Sequence, residues 1–428
     1  MGTPPTDLVA AIDFESEATL DPTVTFASGT SASGTSAPIR SDRADLAVEH
    51  QHAFLTGATG FVGVFLLDQI LRATSADVSC LVRADDHSTA RERLARHLQR
   101  YGLWHEGIDR RIHPVLGDLT KPRLGLSHSA FADLANRADV IYHSAGSTNS
   151  LHSYERLKPA NVLGTHEVLR LAGTGPTKPV HHLSTMAVLF TPENSSADRL
   201  YEQDVVTDPA TIKGGYAQSK WVAERLIRRA CERGLPCSIY RFVRVMGHSR
   251  TGVMYEMSDI FPRVFKACVE MGMSPDVDVE VTMAPVDYVT QAIVHLSRQP
   301  GAYGRTFHLV TPRPMPWAEL TATVRSLGYA CDELPYSQWF REVRRRASGG
   351  EQARAFAQLL IALMSPHYLF YRRPPMDTAE TQQGLAGAGI TCPPATPELI
   401  ETYVRHWQGV GWLTLPRPPA DTRASASP

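Results

Sequence analysis

From Ala53 onward, short apolar runs alternate with longer stretches of helical period. Ala53–Leu55, Val78–Val82, Ile112–Leu116, Val140–His143, Val180–Leu183 and Cys237–Arg241 read as strands. Between them, Phe61–Ala73, Thr89–Tyr101, Ala160–Ala172 and Tyr216–Arg229 read as amphipathic helices. Apolar strands without polar alternation are buried on both faces, and β-α-β repetition supplies the helices that cover them. The pattern therefore predicts an α/β fold built on a doubly wound parallel sheet. After about residue 248 the rhythm loosens. Asp259–Met271 and Val286–Leu296 read as helices, Thr306–Leu309 as a strand, and the chain from Pro316 as mainly helical. One helix there is well punctuated: Thr396 as N-cap, Pro397 in the first turn, Leu399, Val404 and Trp407 as apolar positions, and Gly409 as the stop.

This rhythm divides the 428 residues into four parts. Residues 1–50 read as a largely flexible leader, because Ser28–Ala32 and Ser33–Ala37 both spell SGTSA; within it, Asp7–Phe14 has helical spacing suited to docking on the body. Residues 51–250 read as a Rossmann dinucleotide-binding domain. Residues 251–415 read as a smaller, mainly helical substrate-binding region, some of whose segments return to the Rossmann core. Residues 416–428 read as a disordered tail rich in Pro, Ala and Ser.

Composition narrows the function. With 43 Lys+Arg against 44 Asp+Glu, the net charge of −1 removes the electrostatic reason to expect nucleic acid or an anionic membrane as partner. No apolar run approaches the ~18 residues of a membrane span, and the best candidate, Phe356–Met364, is too short. Asp7, Asp13, Glu15 and Glu17 argue against a signal peptide. The six cysteines contain no CxxC pair and the 17 histidines no HExxH, so no metal site is expected. The cysteines read as small buried hydrophobes of a cytoplasmic protein. No G-x-S-x-G elbow is present for an acyl-transfer serine.

The first strand runs into Thr56-Gly57-Ala58-Thr59-Gly60-Phe61-Val62-Gly63, which opens the first helix. Glycines at this spacing let the backbone turn tightly, approach a pyrophosphate and bring helix close to strand. The helix N-terminus then offers free N–H groups to the phosphates. Arg83 ends the second strand, 20 residues beyond Gly63. An NAD enzyme would place an acid on the ribose 2′-hydroxyl at this point; an arginine there favours the 2′-phosphate of NADP. Arg93, on the next helix, is a second phosphate contact in this reading. Asp118 and Leu119, after the third strand, are expected at the adenine. Ser144, Ala145 and Gly146, after the fourth, are expected under the cofactor.

Tyr216-Ala217-Gln218-Ser219-Lys220 puts Tyr216 and Lys220 one turn apart on one helix face. A lysine ammonium beside a phenol favours its ionisation, and the same lysine is placed to bond a nicotinamide ribose. The tyrosine is then a general acid toward a carbonyl being reduced. Thr185, at the C-terminal end of its strand, is expected to polarise that carbonyl, with Ser184 ranked behind it by alternation. Asn161 is either an organiser of the proton path or a structural tie. Of His181 and His182, inside the strand, one reads as buried and satisfied.

These residues resemble the extended short-chain dehydrogenase/reductase superfamily. The likeness is closer to thioester reductase domains, which terminate nonribosomal peptide synthetases and carboxylic acid reductases. It rests on Asp7-Leu8, Leu20-Asp21-Pro22, LVRADD at 81–86, NVLGTHEVLRLA at 161–172, SKWVAERL at 219–226, RGLPCSIYR at 233–241, GHSRTG at 247–252 and PVDYV at 285–289. The resemblance implies NADPH-dependent release of a phosphopantetheine-bound acyl or peptidyl thioester as an aldehyde, in some relatives reduced onward to the alcohol. It implies Thr185, Tyr216 and Lys220 as the catalytic triad, and Arg83 and Arg93 at the 2′-phosphate. Two features depart from the pattern. Phe242-Val243 stands where the family carries Pro-Gly. No Asp-Ser-Leu or His-Ser-Leu attachment site is found, so the expected partner is a carrier protein acting in trans, unless the chain is a part excised from a larger synthase. The alternatives are a nucleotide-sugar epimerase or dehydratase, against which Arg83 argues, and a catalytically silent NADP-binding protein, against which the intact triad argues.

Overall fold

The computed structural model describes residues 12–26, 48–254, 260–347 and 373–416. Six strands form in chain order: β1 (His52–Thr56), β2 (Asp77–Val82), β3 (Ile112–Leu116), β4 (Val140–His143), β5 (Val180–Thr185) and β6 (Cys237–Phe242). Short strands β7 (Arg244–Met246), β8 (Met273–Asp276), β9 (Glu280–Val281) and β10 (Met283–Pro285) precede β11 (Thr306–Leu309). The main sheet has the order β11-β6-β5-β4-β1-β2-β3, with every pairing parallel. The order reverses between β1 and β4, which opens a crevice at the C-terminal ends of those strands, where a doubly wound sheet binds its ligand.

Helices cover both faces. α1 (Phe14–Glu17) is a single turn; α2 (Phe61–Ala73), α3 (His87–Arg100), α4 (His128–Arg137), α5 (Tyr154–Lys158), α6 (Gly164–Gly173), α7 (Gly215–Glu232), α8 (Ile260–Met271) and α9 (Val286–Ser297) follow. One continuous apolar core runs through the sheet and its helices. A second core gathers Met246, Phe261, Phe265, Met283, Trp317, Trp339, Tyr403 and Trp407. Phe61, at the start of α2, packs on both, so the mouth of the glycine turn lies where the two cores meet.

Three sequence expectations change. Ala160–Ala172 is not one helix: α5 begins at Tyr154, a π-helical turn spans Pro159–Leu163, and α6 continues from Gly164. Helix α4 was not foreseen, since its buried side is only Phe131, Leu134 and Ala135. Most of all, residues 12–26 of the expected leader are part of the body. Phe14, Leu20, Val24 and Phe26 are buried in the main core, and Phe14 meets the Tyr154 ring edge-on at 5.2 Å. Glu17 accepts from the Tyr154 hydroxyl (2.9 Å) and Lys158 (2.8 Å), and Glu15 pairs with Arg229 of α7 (2.7 Å). The segment thus straps α5 to α7. Asp7–Ala11, both SGTSA repeats, Phe356–Met364 and residues 417–428 lie outside the described residues. Among the described residues, no helix is long and apolar enough to cross a membrane.

Candidate active site

The glycine turn is shaped by backbone contact. Gly57 has φ +82°, and a side chain there would meet the Ala145 nitrogen at 2.7 Å. A β-carbon on Gly63 would lie 1.9 Å from the Gly57 carbonyl oxygen. Both positions must be glycine for α2 to start against the turn and for the loop after β4 to pass beside it. Gly60 caps α2 in an extended conformation with no side-chain hydrogen bond, so the N–H groups of Phe61, Val62 and Gly63 keep no capping partner. A helix start of this kind fits a pyrophosphate. Gly60 is exposed at its rim, and Gly57, Thr59, Phe61 and Val62 are partly accessible.

Thr56 is anchored within the fold. Its hydroxyl is fully buried, accepts from the Ala145 N–H (3.1 Å) and meets His143 Nδ1 at 2.9 Å. It ties the glycine turn to the Ser144-Ala145-Gly146 loop. Arg83 is exposed at the end of β2, and Arg93 donates to its carbonyl oxygen at 2.9 Å, which brings two guanidinium groups to one corner. Asp86 stands close by as the N-cap of α3. Its carboxylate caps α3 by accepting from the Thr89 N–H (2.8 Å) and hydroxyl (3.1 Å). Asp118 accepts from the Thr120 N–H at 2.9 Å; burial pushes its carboxyl up, but the Thr120 bonds and the charge of Arg83 hold it below its ordinary value. Leu119 is buried against Gly164 rather than presented as an open wall.

The catalytic candidates come from β5 and α7. Thr185 is the last residue of β5, and its hydroxyl accepts from the Ala187 N–H at 3.2 Å. Tyr216 is half-buried in the first turn of α7. Lys220 is buried; its ammonium donates to the Leu183 carbonyl (2.7 Å) and to His182 Nε2 (3.2 Å). Burial pushes Lys220 down to about 8, with Glu224 pulling the other way. Asn161 turns out to be a tie. Its amide oxygen accepts from the Ser147 N–H (2.7 Å), and its nitrogen donates to the Ser147 carbonyl (3.0 Å) and the Ser219 hydroxyl (2.9 Å). Ser219 in turn donates to the Tyr216 carbonyl at 2.8 Å, so the π-helical turn holds the first turn of α7.

Beneath this edge lies a buried ion pair that sequence reasoning missed. Arg241 of β6 donates to both carboxylate oxygens of Glu224 on α7, with Nη2 to Oε2 at 2.7 Å, and both residues are almost wholly buried. Ser184 donates to the same carboxylate at 2.5 Å, which turns it away from the role of Thr185. Arg241 also reaches the carbonyls of Glu202 (3.4 Å) and Asp204 (2.9 Å). The sequence signal was present, a glutamate one turn beyond Lys220 and an arginine in a strand, but the pairing needs the β5–β6 neighbourhood. Phe242 and Val243 follow; Phe242 pairs in register with Thr185, and Val243 is buried.

A parallel switch-point sheet, a glycine turn at a helix start and a Tyr–Lys helix define a nicotinamide-binding reductase of the extended short-chain dehydrogenase type. Residues 55–293 match the sequence profile of the family described as Male sterility protein. The terminal R domain of the myxalamid PKS-NRPS pathway superposes with a TM-score of 0.85 and 38% identity, covering 94% of this chain and 99% of that one. A linear gramicidin synthase of Brevibacillus parabrevis is 36% identical over 367 residues, 86% of this chain and 7% of the relative. Aldehyde reductase lnbA of Aspergillus flavus is 37% identical over 297 residues, 67% of this chain and 29% of the relative. The chain thus spans well under half the length of these curated relatives. It belongs to the family of terminal reductase domains of nonribosomal peptide and polyketide synthases.

Proposed function

We propose that this protein uses NADPH to release a carrier-bound acyl or peptidyl thioester as an aldehyde, with the carrier protein supplied in trans. The observation that carries the reading is the arrangement at Lys220. Its ammonium is buried on the Leu183 carbonyl, two residues before Thr185 and one helical turn from Tyr216. NADPH, when bound, supplies the hydride. Thr185 and Tyr216 hold the thioester carbonyl oxygen, and Tyr216 gives it a proton as negative charge develops. Lys220, charged below pH ~8, eases that proton transfer by favouring the phenolate left behind. The protonated product is a thiohemiacetal, which expels the carrier thiol and leaves the aldehyde. A second round at the same residues gives the alcohol.

The gramicidin synthase relative supports a place in synthase chemistry. The aldehyde reductase relative supports carbonyl chemistry. Arg83 and Arg93 support the choice of NADPH. Arg83→Ala is expected to weaken NADPH binding at least tenfold while changing NADH binding little, read by titrating each cofactor; one charge-assisted phosphate contact is worth about 1.5–3 kcal/mol. An equal loss for both cofactors contradicts the 2′-phosphate assignment. The reaction itself is tested by incubating the protein with acyl-pantetheine and NADPH and trapping the product as an oxime. Hydrolysis to free acid without oxime contradicts reductive release.

A further inference from the structure

His182 sits in the middle of β5, fully buried, where a strand residue of this sheet is ordinarily apolar. Its Nε2 lies 3.2 Å from Lys220 Nζ. Its Nδ1 is buried with no hydrogen-bond partner among the described residues. A residue kept only to fill space would be better as an apolar ring, since an orphaned buried nitrogen costs stability. The unmet nitrogen is the cost of the bond made by the other one.

Building on the function proposed for this site, we infer that His182 is a positioning residue that acts through Lys220: its Nε2 accepts one ammonium proton and fixes the charged amine on the Leu183 carbonyl, leaving one N–H for the reacting edge. Two anchors on a tetrahedral ammonium set the direction of the third proton. The other polar side chains nearby are committed elsewhere. Asn161 spends its amide on Ser147 and Ser219. His143, whose ring centroid is 5.2 Å from that of His182, has both nitrogens engaged. The Thr165 hydroxyl donates to the Asn161 carbonyl (2.7 Å) and so accepts from His143 Nε2 (3.0 Å). Nδ1 of His143 then accepts from Thr56 (2.9 Å), whose oxygen takes the Ala145 N–H. This chain is complete with a neutral imidazole, and burial pushes His143 down to about 3.

The charged and titratable groups facing Lys220 are His182 from β5, His143 from β4, and Tyr216 and Glu224 from its own helix, with Glu224 paired to Arg241 of β6. Burial also holds His182 well below its ordinary value, so it stays a neutral acceptor. Loss of that acceptor disfavours the ammonium and lowers the pH at which Lys220 discharges.

The test compares His182→Gln, whose amide oxygen falls near the position of Nε2, with His182→Asn, which reaches only to the position of Nδ1, and with His182→Leu. Lys220 is one of six lysines in the chain, so its amine is resolvable by lysine-selective NMR. Lys178, which bonds the Thr174 and Pro176 carbonyls, serves as internal reference. The expected result is a midpoint for Lys220 lowered by about one pH unit in Asn and Leu and restored in Gln, with Lys178 unmoved. The alkaline limb of kcat should follow the same order while KM stays constant. If Leu does not fold, the Gln–Asn comparison decides alone. An unchanged Lys220 titration in Asn, or an equal shift in Gln and Asn, overturns the inference. The titration needs no turnover, so absence of thioester reduction in the wild type would count against the proposed function and leave this result standing.

Discussion

Replacing Tyr216 by Phe is expected to lower kcat for thioester reduction by about 10²–10⁴-fold, the usual worth of a positioned general acid. Affinity for NADPH should change little, because the cradle is built by Gly57, Gly63 and the start of α2, none of which depends on the phenol. The fold should also hold, since Tyr216 is only half-buried and the first turn of α7 is tied through its backbone by Ser219 and Asn161. Steady-state kinetics beside a cofactor titration separates these effects. Unchanged turnover would remove Tyr216 as the acid.

The largest expected effect on stability is at Arg241. Arg241→Leu leaves the Glu224 carboxylate buried, with the Ser184 hydroxyl still donating to it. Breaking one side of a buried pair costs about 3–5 kcal/mol, read as a lower midpoint in denaturant. The double variant Arg241→Leu/Glu224→Leu should recover part of that loss, because the buried carboxylate is gone while Arg228 loses its attraction to Glu224. The pH dependence follows from Glu224. Burial pushes its carboxyl up, but the charge and bonds of Arg241 dominate and hold it below the ordinary 4.5. The stability it contributes is therefore complete above about pH 4.5 and is lost as pH falls through the lowered folded value. A double variant no more stable than the single would show that the pair is not an isolated unit.

The parallel sheet was legible because its strands are continuous apolar runs separated by helix-length stretches, while the strand order came only with the structure. The glycine turn was legible because Gly57 and Gly63 answer to local backbone geometry. What the sequence could not show was partnership. Thr56 read as part of a phosphate loop, yet its hydroxyl belongs to His143 and Ala145, on a strand that pairs with β1 only after folding. Asn161 was open between two roles until the π-helical turn placed its amide on Ser147 and Ser219. One of His181 and His182 read as a satisfied core histidine; of His182 only half is satisfied, by Lys220, which lies 38 residues away. The burial of residues 12–26 was hidden for a related reason. Phe14, Leu20, Val24 and Phe26 are too sparse to give a periodic signal, and their burial rests on tertiary partners such as Tyr154 and Gly173.

Reductive release is tested most directly by the balance of reductant and thiol. Purified protein, NADPH and an acyl-pantetheine or acyl-carrier panel should show thioester-dependent consumption of NADPH matched by free thiol. The predicted stoichiometry is one NADPH per thiol if release stops at the aldehyde and two if it runs to the alcohol. Binding of NADPH with no consumption across a broad thioester panel would contradict reductive release.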